Sequence, residues 1–178
     1  PRELFPVSSL WVAFVHVVPQ IVVLIVGALL FGWRPTPVHI LVGVLSVLTI
    51  GMFSLGLGLL FAAFNVFFRD AENFVDLLSM VAIWVSPVFY QWHMVADVFP
   101  RWLVNLYMLN PLAMGVELSH FCFWAPTQGV VEAGHTSWDL MASNMPALMM
   151  GSFVIAFGVL LIGQLVFHRL EGKFAQEL

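Results

Sequence analysis

The chain has 178 residues and a formal net charge of −4, and 61% of its residues are hydrophobic while 9% are charged. Because soluble globular domains are about 25% charged, this composition excludes an ordinary water-soluble core. The net charge is small and the chain has no basic patch, so nothing in the sequence indicates nucleic-acid binding.

The charged residues are unevenly spaced along the chain. None occurs between Glu3 and Arg34, between Arg34 and Arg69, or between Asp139 and Arg169. Each interval can hold the roughly 20 apolar residues that a membrane-spanning helix needs. The sequence therefore predicts an all-α integral membrane protein.

Four spanning helices are predicted, at about residues 7–31, 38–64, 73–90 and 144–167. The glycine and prolines of residues 32–37, GWRPTP, separate the first two helices. Residues 65–72 form a charged hairpin before the third helix, which Pro87 bends or ends. Residues 168–178 form a polar tail. On the second helix, the small residues Ser54, Gly58 and Ala62 recur every four positions, a pattern typical of close helix packing.

Residues 102–124 are long enough to span, but Pro111 divides them into two pieces that are each too short to cross alone. A central acid such as Glu117 adds a cost of up to about 3 kcal/mol. If the segment enters the membrane and returns, most of the positive charge falls on one side. That side then carries Arg2, Arg69, Arg169 and Lys173. The positive-inside rule makes that side cytoplasmic. We therefore expect a re-entrant helical pair over about residues 99–124, four crossings, and both ends of the chain in the cytoplasm.

Motifs for chemistry on this chain are absent from the sequence. There is no Gly-x4-Gly-Lys-Ser/Thr phosphate-binding loop. The histidines show no paired spacing of the kind that metal ligands have. The single cysteine, Cys122, excludes an internal disulfide. We expect no metal and no cofactor on this chain.

Three stretches together resemble one family: GLGLLFAAFNVFFRDAENFVDLLSMVAIWVSPVFY, then LYMLNPLAMGVE, then the terminal FHRLEGKFAQEL. The chain resembles the permease subunit of ABC-2 type polysaccharide exporters, a group that exports O-antigen, teichoic acid and cell-wall galactan. The family permease has six spanning helices, and this chain resembles the last four. The resemblance thus implies that the sequence is N-terminally incomplete and represents the C-terminal two-thirds of such a permease.

The resemblance also implies partners and a location. Two permease copies form a channel as a homodimer, and two separate ATPase subunits bind ATP and Mg and hydrolyse the ATP. The substrate is a polysaccharide on a polyprenyl pyrophosphate lipid, and the membrane is the bacterial inner membrane.

Candidate functional residues fall into three groups. The charged hairpin supplies ATPase-coupling candidates, with a solvated turn as the alternative reading: Arg69, Asp70 and Glu72. The re-entrant pair, which the resemblance identifies as an outer gate, supplies Asn110, Pro111 and Glu117. Channel or sugar-contact candidates are His16, Gln20, Trp92, Trp102 and Tyr107.

Simpler roles for the third group stay open. His16 and Gln20 share one helix face and could each hydrogen-bond a neighbouring helix instead. The tryptophans suit sugar faces but equally suit the membrane interface. Glu117 could pair with Arg101 or with a backbone donor.

A different functional class is a membrane-embedded transferase acting on a lipid-linked substrate. Such an enzyme needs acids or histidines clustered at one membrane face. Asp70, Glu72 and Asp76 are the candidates for that cluster. A membrane scaffold that does not depend on ATP is the third possibility.

The predicted topology can be tested by thiol labelling of intact cells. A cysteine at Thr127 or Gly134 should react with an impermeant reagent from outside, whereas a cysteine at Ala71 should not. The unchanged chain, whose one cysteine is Cys122, gives the background. Labelling of position 127 only after permeabilisation would mean that residues 102–124 span the membrane.

Overall fold

The computed structural model describes residues 4–67, 71–127 and 144–170. All regular structure in these ranges is helical, which confirms the predicted all-α fold. The α-helices of the described residues are α1 Leu4–Leu30, α2 Pro37–Phe67, α3 Ala71–Val85, α4 Trp92–Val98, α5 Arg101–Met108, α6 Pro111–Phe123 and α7 Met145–Leu170. A 3-10 turn, Ala125–Thr127, follows α6.

Three helices, α1, α2 and α7, are long and apolar enough to cross a membrane. The third predicted crossing, residues 73–90, differs because α3 ends at Val85 and has 15 residues. Its length of about 22 Å is less than the roughly 30 Å of a hydrocarbon core. The reason is Pro87, which has no N–H to donate and disfavours helical backbone at Ser86. In the turn that follows, the N–H of Val88 donates to the carbonyl of Ser86 at 2.8 Å.

The junction between α1 and α2 is a tight turn built on one glycine. Gly32 has φ +79, a left-handed conformation that glycine adopts without steric cost. The N–H of Trp33 donates to Ala28 at 2.9 Å and that of Gly32 to Leu29 at 3.1 Å, so the last carbonyls of α1 are satisfied. Pro37 then opens α2 at a position where its missing N–H has no helical partner to lose.

Helices α2 and α7 run parallel and pack backbone against backbone. A Cβ added at Gly56 would lie 2.6 Å from the nitrogen of Leu160, and one added at Gly163 would collide with the carbonyl oxygen of Gly56. Farther along the same direction, Leu59 and Ala63 of α2 pack with Phe167 of α7. Small residues at this crossing let the two helices approach closely.

The predicted small-residue face of α2, Ser54, Gly58 and Ala62, coincides only in part with this crossing. Ser54 and Gly58 are exposed, and a Cβ at Gly58 would meet nothing within 4 Å. The face that contacts α7 instead carries Gly56, Leu59 and Ala63. Gly56 lies two positions from Gly58, which is about 200° around the helix. Of the predicted stripe, Ala62 packs beside this contact, whereas Ser54 and Gly58 lie on a face of α2 that α7 leaves uncovered.

The main buried core lies at the N-terminal ends of α2 and α7, where α5 and α6 pack between them. It contains Val42 of α2, Val104 and Met108 of α5, Met114, Leu118 and Phe121 of α6, and Met145 and Leu148 of α7. By contrast, none of the spanning part of α1 is buried. The side chains described on α3 are also mostly exposed. Large apolar surfaces of this kind mark contacts with lipid or with protein.

The α2–α7 crossing can be tested with two glycine variants on the same helix. Gly56→Ala should destabilise the protein by about 1–3 kcal/mol, because the added methyl group meets α7 backbone that cannot move alone. Gly58→Ala should not destabilise it, because its methyl group enters open space and alanine favours a helix by up to about 1 kcal/mol.

Cys122 is 4% exposed and can report unfolding through a thiol-reactive fluorophore. The measurement is the midpoint of thermal unfolding in detergent. Equal midpoints for the two variants would contradict a tight crossing at Gly56.

Candidate functional site

The interruption between α5 and α6 is a capped helix start. Asn110 has extended backbone, and its Oδ1 accepts from the N–H of Leu112 at 3.1 Å. Pro111 is buried and holds the first helical position, where a proline is well tolerated. The end of α5 is satisfied as well, since the N–H of Leu109 donates to Asn105 at 3.0 Å. The chain therefore reverses here without losing backbone hydrogen bonds.

Helix α6 packs closely along the N-terminal half of α2 in the opposite direction. Near the C-terminal end of α6, Cys122 faces Gly43 of α2. A Cβ added at Gly43 would lie only 2.6 Å from the Cys122 sulfur. Farther down, a Cβ added at Gly115 would collide with the side chain of Ile50. Ile50 is about 20 Å from the start of α2 at 1.5 Å per residue. The turn at Pro111 lies one helical turn beyond Gly115, and so close to the middle of α2.

Polar side chains join α6 to α2 in the same contact. The hydroxyl of Ser46 donates to the carbonyl of Gly115 at 2.6 Å and lies 2.9 Å from the hydroxyl of Ser119. Ser119 in turn donates to the carbonyl of Gly115 at 3.0 Å. Ser46 is buried. This network satisfies buried polar atoms and fixes the position of α6 along α2.

The far end of α6 is bound to the α1–α2 turn. The indole Nε1 of Trp33 donates to the carbonyl of Cys122 at 2.9 Å, and the Trp33 ring stacks on Phe123 with centroids 5.5 Å apart. The buried imidazole of His39 stacks on Phe121 at 4.8 Å. The α1–α2 turn, α2 and the Asn110 cap thus hold α6 at both of its ends and along its length.

A cavity of about 460 Å³ lies between the α3–α4 connection and α6. It is lined by residues 88–94 together with Glu117, His120 and Trp124. Its size is within the roughly 300–1,000 Å³ of small-molecule sites. Glu117 is 1% exposed, whereas Phe89 is 73% exposed. Hence the carboxyl group lies at the floor and the aromatic ring at the mouth.

Glu117 pairs with His120, one turn along α6, rather than with Arg101. The Nδ1 of His120 lies 3.4 Å from Oε1 of Glu117, near the limit of a hydrogen bond. It is the one ion-pair contact found among the described residues. Arg101 opens α5 and is exposed.

The cavity wall is connected to α5 by two tyrosines. The hydroxyl of Tyr90 lies 3.1 Å from the hydroxyl of Tyr107. It also lies 3.1 Å from the carbonyls of Trp84 and Val85, to which it can donate. These are carbonyls at the end of α3, which a helix leaves without intrahelical partners. Tyr90 thereby joins the end of α3 to the helical pair of α5 and α6.

The predicted site residues are brought together only in part. Trp92 and Glu117 line the cavity, and Tyr107 contacts it through Tyr90. Two other candidates are exposed and outside the lining: Trp102 is 67% exposed, and His16 bonds the carbonyl of Val12 in its own helix at 2.8 Å.

Gln20 is also exposed on α1 and takes no part in the cavity. Arg69 and Asp70 lie outside the described residues, and Glu72 belongs to the first turn of α3. Among the described residues, no group of three or more His, Cys, Asp or Glu side chains could hold a metal ion. The cavity residues that sequence analysis missed are Val88, Phe89, Tyr90, Gln91, His93, Met94, His120 and Trp124. The pair of Glu117 and His120 at helical spacing was the one signal available for part of this set.

Long apolar helices that enclose an interrupted, buried helical pair define a multi-pass membrane protein built around that pair. Residues 2–124 match the sequence pattern of the ABC-2 type transporter family, and the chain belongs to that family as a permease. Two relatives are each described as O-antigen export system permease protein RfbA of Klebsiella pneumoniae. Both are 27% identical to this chain, over 180 and 183 residues.

The alignments cover 100% of this chain and 61% of each relative, so the chain spans less than two-thirds of their length. No solved structure matches the chain.

The tyrosine contact predicts an unequal pair of variants. Tyr90→Phe should lower the free energy of unfolding by about 1–2 kcal/mol, because it removes the partner of α3 carbonyls as well as that of Tyr107. Tyr107→Phe should cost less, about 0.5–1 kcal/mol, and the double variant should cost less than the sum.

Denaturant titration in detergent measures these differences through the reactivity of Cys122. Ser79→Ala is the control, since it removes only an exposed bond to Val75 inside α3. Strictly additive effects of the two tyrosine variants would rule out the coupling.

Proposed function

We propose that this permease is the channel-forming subunit of an ATP-driven exporter that moves a polysaccharide across the bacterial inner membrane, carried on a polyprenyl pyrophosphate lipid. Membership of the ABC-2 type transporter family supports the transport role. The two relatives named as O-antigen export permeases support a polysaccharide as the cargo.

The observation that carries the proposal is the helical pair α5–α6 buried beside the middle of α2. Backbone that leaves the helix at membrane depth is stable only against protein or beside a water-filled cavity. Here the reversal at Asn110 and Pro111 has protein on one side, through Met108 and Met114 in the core. Glu117 next faces a cavity. These contacts are those required of a gate that closes the outer mouth of a channel.

The parallel course of α2 and α7 supports the re-entrant topology. Parallel helices enter the membrane from the same side, so the chain between them must make one net crossing. With residues 73–90 as that crossing, α3 supplies most of it and the turn after Val85 supplies the rest, and α5 and α6 enter and leave by the outer side. The N-terminal ends of α2 and α7 are then outer, and the chain ends are cytoplasmic.

We assign the partners on the same basis. A second permease copy completes the channel, and the uncovered apolar surface of α1 is suited to lipid and to such a neighbour. Two ATPase subunits, which carry the ATP and Mg, bind on the cytoplasmic side. The hairpin of residues 65–72 is the docking segment, with Arg69, Asp70 and Glu72 as the residues that couple to the ATPase.

Motion at the cytoplasmic side has a direct route to the gate. Helix α3 starts at Ala71, within the docking segment of residues 65–72, and ends at Val85, where the hydroxyl of Tyr90 donates to its carbonyl. Tyr90 contacts Tyr107 of α5. A shift of α3 as a rigid rod thus moves the helical pair, which is the behaviour expected of packed elements that have two discrete arrangements.

The proposal is tested with Pro111→Ala in vesicles that contain the permease, its ATPase and lipid-linked polysaccharide. Wild-type complex should export polymer only with ATP and should hold small solutes. The variant should insert and bind the ATPase, yet leak solutes or export several-fold less, because alanine restores an N–H and permits one longer helix.

Pro100→Ala is the matched control, since Pro100 precedes α5 and is exposed. Equal solute flux and equal export in wild type and Pro111→Ala would refute the gate. Absence of ATP-dependent export by wild type would refute the function.

A further inference from the structure

The cavity beside α6 has the chemical character of a carbohydrate subsite. Its aromatic residues include Tyr90, Trp92 and Trp124, and aromatic rings pack against the C–H faces of sugars while their polar edges bind hydroxyls. Glu117 contributes carboxyl oxygens at the floor, one of which is paired with His120, and Gln91 contributes an amide that both donates and accepts. Alternating apolar faces and hydrogen-bonding groups are what a sugar ring presents in return.

The charge of the lining limits which sugars fit. Glu117 is the acid of the cavity, and the lining contains no lysine or arginine. A carboxylate brought in by a uronic acid would meet like charge at short range in a partly buried site, where Coulomb repulsion is poorly screened. The basic side chains of the lining are the histidines His93 and His120, and His120 is already paired with Glu117. A neutral sugar meets no such penalty and uses Glu117 as a hydroxyl acceptor.

We propose that this cavity binds one or two units of an uncharged glycan and discriminates against anionic sugars through Glu117. The proposal rests on the polysaccharide-export function and specifies the charge class of the polymer. A hydrocarbon chain is the competing occupant, but it would offer no hydrogen-bond partner to the amide of Gln91 or to the carboxyl oxygen of Glu117 that His120 does not contact. Burial of polar groups toward a purely apolar ligand costs free energy.

Binding can be measured directly on the complete permease–ATPase complex in lipid nanodiscs, without ATP, by tryptophan fluorescence. The probes are maltohexaose, which is neutral, and hexagalacturonate, which has the same number of units and a carboxylate on each. We expect maltohexaose to change the fluorescence at concentrations at least about tenfold lower than hexagalacturonate.

Tryptophan variants assign the signal to the cavity. Trp92→Phe and Trp124→Phe should each reduce the fluorescence change with maltohexaose. Trp102→Phe should retain it, because Trp102 is 67% exposed and lies outside the lining. A change that survives the loss of both cavity tryptophans would place the sugar elsewhere and overturn the proposal.

Charge variants test the discrimination itself. Glu117→Gln should bring hexagalacturonate affinity to within a few-fold of maltohexaose affinity. Gln91→Lys should also raise the affinity for hexagalacturonate. This variant keeps the buried pair of Glu117 and His120, so it tests the discrimination even if Glu117→Gln does not fold. Equal affinity of the wild-type complex for the two probes, or no change with either charge variant, would overturn the proposal.

Decyl maltoside tests the competing occupant. Decanol, which has the same alkyl chain without the sugar, is compared with it as a competitor of maltohexaose. If decanol alone displaces maltohexaose, the alkyl chain accounts for binding, the cavity is a lipid site and the proposal fails. Export is assayed separately with ATP. A complex that binds maltohexaose in the cavity but exports nothing contradicts the proposed function alone, whereas one that exports polymer but binds both probes equally contradicts only this inference.

Discussion

The contact of α6 with the N-terminal half of α2 is the constraint on which the rest of the structure depends. A helical pair that stops and reverses beside a long apolar helix must satisfy its backbone groups within the protein, since hydrocarbon offers no hydrogen bonds. Gly43 and Gly115 remove the side chains that would separate the two helices. Ser46 then reaches the carbonyl of Gly115 and the hydroxyl of Ser119. Close approach and polar satisfaction therefore come from the same few positions.

The other elements are arranged around that contact. Helix α7 packs parallel to α2 through Gly56 and Gly163, and its first turn closes the core with Met145. Asn144 before α7 donates from its amide to Oδ1 of Asn105 in α5 at 3.0 Å. The carboxyl group of Glu117 lies on the face of α6 toward the α3–α4 connection, and the cavity forms there. The candidate site is thus a product of how α6 is held.

Features with local causes could be predicted from the sequence. Long charge-free intervals indicated the spanning helices. The glycine and prolines of the α1–α2 turn end one helix and begin the next within a few residues of their own positions. In the structure Asn110 caps α6 and Pro111 is its first residue, and the order of these two residue types in the sequence already favours such a helix start. The end of α3 was harder, because Pro87 shows where a helix must stop but not how many residues earlier it does so.

Features that depend on the relative position of two helices could not be predicted. The contact of Gly56 with Gly163 and that of Tyr90 with Tyr107 join residues far apart in the chain, and their register follows from packing. The small-residue pattern at Ser54 and Gly58 was as regular as the face that contacts α7, so periodicity could not identify which face α7 covers. Glu117 was recognised as unusual because acids are rare in such segments, but its partner could not be chosen without the fold.

The packing of Met145 and Leu148 against α5 and α6 bears on how this protein is made. The ribosome completes the helical pair before α7 exists, and at that stage one wall of its core is missing. Asn105 has not yet received its amide partner from Asn144. The unfinished chain therefore holds this segment through its contacts with α2 and with the α1–α2 turn alone. Packing of the helical pair is therefore completed only after α7 has been synthesised.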